Sequence, residues 1–243
     1  AAVIKHRCMP GSIPGAIIGY LEAKKWNSSR LSSYVTKFLP PSQFMADTCI
    51  RGGYDPNKFE VLNNFIDVKK IENPSFKKQD YYCFLGRVTA VKGICTLCKI
   101  ASKLPYKLKV IGDGDLLEEL QTKYPNIEFL GRKKWDEFRP VLEKARFMVI
   151  PSEWSENNPL TIIESHALGT PVLGARIGGI PELIEEGVSG MTFSSGNEDD
   201  LKQKIQLMFD TDFDCHQISV KAIERYSSET YYEKLMELYK SLM

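Results

Sequence analysis

No apolar run near the start of this 243-residue sequence can cross a bilayer. The longest, Ala16 to Leu21, falls far short of the ~20 residues a spanning helix needs, and no signal peptide is expected from the opening residues. Charge of one sign is missing too. Lys and Arg number 32 against 31 Asp and Glu, a formal net charge of +1, so no broad field points to nucleic acid or an anionic membrane. Basic character is only local, at Lys77-Lys78 and at Arg132-Lys133-Lys134. Histidine is scarce, and His6 is expected to be structural or on the surface. The six cysteines stand at 8, 49, 83, 95, 98 and 215, and the C-x-x-C of Cys95 and Cys98 has no second pair to complete a zinc site. It lies inside the apolar run Ile94 to Ile100, so both are expected as small core residues of a helix, in a reducing cytoplasm. Internal repeats and low-complexity tracts are absent.

What is present is the composition of a soluble globular protein, 43% hydrophobic and 26% charged. From Tyr81 onward strands and helices alternate. Strands are expected at Tyr81–Leu85, Lys107–Ile111, Ile127–Leu130, Phe147–Ile150 and Pro171–Leu173. Helices are expected at Gly93–Lys103, Leu116–Tyr124, Lys134–Lys144, Leu160–Leu168, Asn197–Phe209, Phe213–Tyr226 and Ser228–Leu242, with a further helix start at Pro181–Glu186. That alternation argues for βαβ crossovers and a parallel sheet, with ligands at the carboxyl ends of the strands.

The stretch from Phe147 to Phe193 holds the densest chemistry. After the strand, Pro151 and Ser152 open a polar loop, Glu153 to Asn157. Asn158 is read as the helix cap and Pro159 as the first helical residue, and Gly169 suits the left-handed residue past the helix end. The N–H groups of Asn158, Leu160 and Thr161 face out of a helix amino terminus, which favours a phosphate or diphosphate. Glu156, in the loop, and Glu164, one turn inside the helix on the Leu160 face, flank that anion site. Each carboxylate can accept both protons of a vicinal diol, as on a ribose or hexose. Trp154, Asn157 and Asn158 crowd the loop, and Gly174, Gly178 and Gly179 are read as permitting close approach of a ligand.

The first strand ends in Gly86-Arg87, and Lys92-Gly93 follows; two cations on one loop can neutralise a diphosphate and its developing charge. The second strand ends in Gly112-Asp113-Gly114-Asp115. This is not a dinucleotide fingerprint, because Leu117 stands where the third glycine belongs; Asp115 is read as a cap for the next helix. The third strand ends in Gly131-Arg132, and Arg132 could stack on a base.

The segment PSEWSENNPLTIIESHALGTPVLGARIGGIPELIEEGVSGMTF resembles the signature region of the retaining glycosyltransferases of family four, enzymes of the GT-B fold. Glu156 and Glu164 fit the family's Glu, seven residues, Glu spacing, and Arg87 with Lys92 fits its phosphate-binding pair. The resemblance implies an α/β chain with a Rossmann-like parallel sheet and a partial N-terminal domain, which acts as a hexosyltransferase. It would move a sugar with retention from a UDP- or GDP-sugar to a carbohydrate or lipid-linked hydroxyl. Arg87 and Lys92 would hold the diphosphate, Glu164 the ribose diol, and Glu156 the donor sugar with Asn158, Pro159, Leu160 and Thr161 nearby. Gly112 and Arg132 would lie near the nucleotide. Arg87, Lys92 and Glu156 would carry the catalysis. Neither metal nor cofactor is expected, since no D-x-D carboxylate cluster is read and the cations take over that role. The family implies bacterial polysaccharide or glycolipid assembly in the cytoplasm, with peripheral contact at the inner face of the membrane and no nucleic-acid partner.

Residues 1–66 read as the remnant of an acceptor-binding domain whose first strands look absent, and the chain starts without Met. Loops are marked by Pro10, Gly11, Pro14 and Gly15. Helices are expected at Ala16–Lys25, Asn27–Thr36 and from Ser42 to Arg51, with short strands at Phe38–Leu39 and Lys58–Leu62. Residues 67–79 read as a polar linker, 80–226 as the nucleotide-sugar domain, and 227–243 as a helix returning to the N-terminal part. Two other classes stay open: a nucleotide-sugar-binding fragment without transfer, and a UDP-sugar epimerase of the same fold.

Overall fold

The structure is a computed structural model describing residues 13–243. The expectations for His6, Cys8, Pro10 and Gly11 lie outside the described residues. The chain divides after Val61 into two compact units.

The first unit carries helices α1 (Ile13–Lys25), α2 (Ser28–Tyr34) and α3 (Gln43–Arg51). Asn27 caps α2 by accepting the Arg30 N–H at 2.9 Å, and Ser42 caps α3 by accepting the Met45 N–H at 3.2 Å; both short oxygens satisfy a donor the helix cannot. The two strands expected here reduce to one parallel bridge, Phe38 to Phe59. Pro40 and Pro41 have no N–H to extend a ladder, and a 3-10 turn, Pro56–Lys58, takes up the start of the second segment. The rings of Phe38 and Phe59 stack at 5.0 Å.

The second unit is one six-stranded parallel sheet with helices on both faces. Its elements are β1 (Tyr81–Leu85), α4 (Ile94–Ala101), β2 (Lys107–Ile111), α5 (Leu117–Lys123), β3 (Glu128–Gly131), α6 (Trp135–Lys144), β4 (Met148–Ile150), α7 (Leu160–Ala167), β5 (Val172–Ala175), β6 (Gly190–Phe193), α8 (Glu198–Asp210), α9 (Cys215–Tyr226) and α10 (Ser228–Ser241). The strand order is β3-β2-β1-β4-β5-β6. In β1, Tyr82 and Phe84 pack under one layer of helices while Tyr81 and Cys83 pack under the other. A strand buried on both faces reads as an unbroken apolar run, and β1 does.

Two expectations are corrected, and two stretches carry structure beyond what the sequence indicates. The polar stretch Asp67 to Gln79 is tied down along its length. Val68–Ile71 forms a 3-10 turn with Ile71 buried. Ser75 N–H bonds to the Glu143 carboxylate, and Lys78 Nζ donates to Glu143 O at 2.8 Å and Thr170 Oγ1 at 2.7 Å. Strand β6 gives little signal in the sequence, being four residues that open on a glycine. A Cβ at Gly190 would stand 1.9 Å from the Val172 carbonyl oxygen, so only glycine lets the two strands pair here. The Pro181–Glu186 helix start is a 3-10 turn, Ile180–Leu183. Of the C-x-x-C cysteines, only Cys98 is buried; Cys95 faces solvent, off the apolar stripe that Ile94, Leu97 and Cys98 turn inward.

Gly169 takes the left-handed conformation expected past α7, with φ 68°. In α10 the Tyr231 ring meets Phe65 at 4.5 Å, whereas Tyr232 is exposed. Among the described residues no helix is long and apolar enough to cross a membrane.

Candidate active site

The order β3-β2-β1-β4-β5-β6 reverses direction between β1 and β4. Chains leaving these two strands diverge to opposite faces and leave a crevice at their carboxyl ends, the place where open parallel sheets bind ligands. The residues lining that crevice come from the two loops after β1 and β4, which are knitted together. Glu153 N–H donates to Val91 O at 3.0 Å, and Thr96 Oγ1 donates to Glu153 Oε1 at 2.6 Å.

Lys92, on the first loop, donates from Nζ to Glu156 Oε1 on the second. The two side chains are only 25% and 17% exposed, so water screens the pair weakly. Ser152 Oγ donates to the same oxygen at 2.8 Å. Gly179 N–H holds the Glu156 carbonyl at 2.7 Å, and a Cβ on Gly178 would come within 2.2 Å of that carbonyl oxygen. The paired glycines therefore make room for the Glu156 backbone, where a ligand had been expected. Gly174 likewise lies against Ile180 and Ile184.

Helix α7 starts beside this pair. Pro159 occupies the cap position and gives no side-chain cap. Asn158 was expected there; instead its Oδ1 accepts the Asn64 N–H at 3.1 Å and its carbonyl accepts Asn64 Nδ2 at 2.9 Å. Lys92, Ser152, Glu156, Pro159, Leu160 and Thr161 line a cavity of about 220 Å³. The loop is less crowded than its sequence suggests, because Trp154 is 66% exposed.

Two more cavities adjoin. One of about 660 Å³ shares Leu85 and Gly86 with the first and is lined by Arg87, Gly112, Asp113, Arg132 and Lys133. Here too the glycines serve the fold: a Cβ on Gly112 would stand 1.8 Å from Gly86 O, and one on Gly114 would stand 2.4 Å from Val88 O. Asp115 does not cap α5, whose cap position is Leu116. Asp113 and Asp115 do spell a D-x-D, contrary to the sequence reading, but Asp113 Oδ1 accepts the Gly114 N–H at 2.8 Å. Among the described residues no three His, Cys, Asp or Glu side chains gather as a metal site. The third cavity, about 170 Å³, shares Leu160 with the first and holds Glu164, Lys70, Ile71 and Trp135. Burial pushes the Glu164 carboxyl up to about 7, against the pull of Lys70.

Every candidate except Asn158 thus lines one of three adjoining cavities at the sheet's carboxyl edge. Sequence reasoning missed Ser152, Lys70, Trp135 and Asn64. In the sequence Ser152 marks only the end of a strand, and Lys70 lies in a polar stretch without a motif. A fourth cavity, about 510 Å³, lies between residues 182–189 and α9. No cation, carboxylate or glycine loop singled out by the sequence borders it.

A reversed parallel sheet with a cationic, carboxylate-bearing crevice at its switch point defines a Rossmann-like α/β domain of the GT-B type. The description "Glycosyl transferases group 1" matches residues 65–225, and the chain belongs to that family. It is 33% identical over 154 residues to the uncharacterized glycosyltransferase MJ1178 of Methanocaldococcus jannaschii, covering 61% of this chain and 43% of that one. It is 27% identical over 224 residues to the sulfoquinovosyl transferase SQD2 of Arabidopsis thaliana, covering 84% of this chain and 44% of the relative. The chain thus spans less than half the length of either relative. The crystal structure of Anabaena Alr3699/HepE in complex with UDP superposes with a TM-score of 0.79 at 19% identity, over 88% of this chain and 66% of that one; this likeness speaks to the fold.

Proposed function

We propose that this chain is the donor-binding part of a retaining glycosyltransferase that uses a nucleoside-diphosphate sugar. The observation that carries the reading is the Lys92–Glu156 pair at the β1–β4 switch point, beside the amino end of α7. A diphosphate placed there meets Lys92, the Leu160 and Thr161 N–H groups and, from the neighbouring cavity, Arg87. The fold this chain shares with a protein solved in complex with UDP supports a nucleotide-bearing ligand.

In this reading Glu164 accepts the ribose hydroxyls and Arg132 lies against the base. Glu156, already held by Ser152 and Lys92, orients the donor sugar. The bond from the sugar's C1 to the diphosphate oxygen breaks, and its electron pair leaves with the diphosphate. A hydroxyl oxygen of the acceptor bonds to C1 on the same face, and its proton passes to the departing phosphate oxygen. Arg87 and Lys92 offset the charge that develops on the leaving group, the role a metal fills elsewhere. The acceptor in this reading is a carbohydrate or lipid-linked hydroxyl of polysaccharide or glycolipid assembly.

The test is incubation with UDP-glucose, UDP-N-acetylglucosamine and GDP-mannose, followed by proton NMR of the anomeric signals. Release of nucleoside diphosphate with the sugar first appearing as the donor's own anomer supports the reading. Inverted product contradicts retention. Epimerised donor with no released diphosphate contradicts transfer.

A further inference from the structure

Asn64 and Asn158 are 94 residues apart in sequence and joined by two hydrogen bonds. The orientation of the Asn158 carboxamide follows from them, because only its oxygen can accept the Asn64 N–H. Asn158 is 6% exposed, and its Nδ2 is buried with no acceptor. Leaving a buried amide donor unmade is unfavourable, so the side chain is held here by its partner against that cost. The helix cannot fix this turn itself. Pro159 has no N–H and adds no side-chain cap, and the first bond inside the turn is Ile162 N–H to Pro159 O at 3.1 Å.

The other end of the same short segment is also tied down. Ile66 N–H donates to Tyr226 O at 2.9 Å, and Ile66 bridges to Ser227. Asn64 stands three residues past Val61, where the chain enters this unit.

We propose that Asn64 is a positioning residue for the donor site: its two bonds hold Asn158 so that the Leu160 and Thr161 N–H groups meet the diphosphate, and they make the entering segment and the donor site one cooperative unit. This rests on the donor reading above. By linkage, a ligand that tightens the amino end of α7 tightens the Asn64 tie, and loss of the tie weakens the ligand. Neither the spacing nor the residue types of the signature region indicate this partner.

The experiment is titration of UDP and GDP into the wild-type chain, Asn64→Ala and Asn64→Asp, with amide hydrogen exchange read residue by residue by NMR. Asn64→Asp keeps the backbone N–H and the size but sets a carboxylate oxygen against the Asn158 carbonyl. The expected result has two parts. Bound nucleotide slows exchange of the Asn64 amide in the wild type, together with Leu160 and Thr161. Asn64→Ala weakens nucleotide binding roughly three- to tenfold, the scale of one neutral hydrogen bond, and Asn64→Asp weakens it further. Nucleotide affinity within twofold of wild type in both variants overturns the proposal and leaves the donor reading standing. Weaker binding in the variants, with a wild-type Asn64 amide indifferent to nucleotide, overturns it as well, since a merely structural residue would behave so. A wild-type chain that binds neither UDP nor GDP overturns both readings together.

Discussion

Gly93 and Pro151 lie so close that a Cβ on Gly93 would stand 1.8 Å from the Pro151 carbonyl oxygen. Gly93 also holds φ at 68°, a conformation that penalises a side chain. The contact seats the end of the Arg87–Lys92 loop against the end of β4, which is how a lysine from one loop reaches a glutamate on the other. Gly93→Ala should therefore destabilise the protein by about 3 kcal/mol or more, summing overpacking and backbone strain. It should also abolish nucleotide binding. Urea unfolding and a nucleotide titration on the same sample check both.

The Lys92–Glu156 pair separates a binding effect from a stability effect. Lys92→Met leaves Glu156 its Ser152 hydrogen bond, so unfolding should shift by only ~1–2 kcal/mol. Affinity for UDP or GDP should fall by at least roughly tenfold, the loss of one charge-assisted bond to phosphate. Calorimetry of both nucleotides measures this.

Glu164 gives a pH signature. Its carboxyl is raised from 4.5 to about 7 by burial, so the folded state holds the proton more tightly than the unfolded chain. The stability this proton brings is complete below pH 4.5 and is lost as pH rises through 7. A difference of about 2.5 between those values corresponds to ~3 kcal/mol at ~1.4 kcal/mol per unit. For a half-buried group, solvent screening brings it to about 1–3 kcal/mol. Glu164→Gln should thus match wild type at pH 4 and exceed it in stability at pH 8, while binding nucleotide more weakly at pH 8, where the wild-type carboxylate is ionised, and about as well as wild type at pH 4. Parallel urea melts at the two pH values are the check.

Lys78 works in the opposite direction. Burial lowers its ammonium from 10.5 to about 8, so between those values the unfolded chain binds more protons and stability rises with pH. Lys78→Met should remove that rise and take the donor from the Glu143 carbonyl, so its stability relative to wild type should fall steadily as pH goes from 7 to 10. Thermal melts across pH 7 to 10 report both effects.

Much of this was legible in the sequence. Strands β1 and β2 match their expected bounds residue for residue, β1 as an unbroken apolar run of five and β2 as Lys-Leu-Lys-Val-Ile, which alternates before its apolar end. The candidate residues could be named because loops at strand ends concentrate cations, carboxylates and glycines. The close approach expected at Gly178 is present, with another partner than a ligand. Gly112, Gly114 and Gly178 do permit close approach, but to the backbones of Gly86, Val88 and Glu156; a sequence shows that space is needed without showing who fills it. Asn158 was misplaced for a related reason. Its local context fits a cap, and the competing partner, Asn64, lies 94 residues away.

The most direct test of the central claim compares nucleoside diphosphates with monophosphates. Titration calorimetry with UDP and UMP, and with GDP and GMP, isolates what the second phosphate contributes. The account predicts that at least one diphosphate binds roughly tenfold or more tightly than its monophosphate, and that the gap collapses when Arg87 and Lys92 are both changed to Ala. Equal affinities for mono- and diphosphate, or a gap that survives the double substitution, would contradict it.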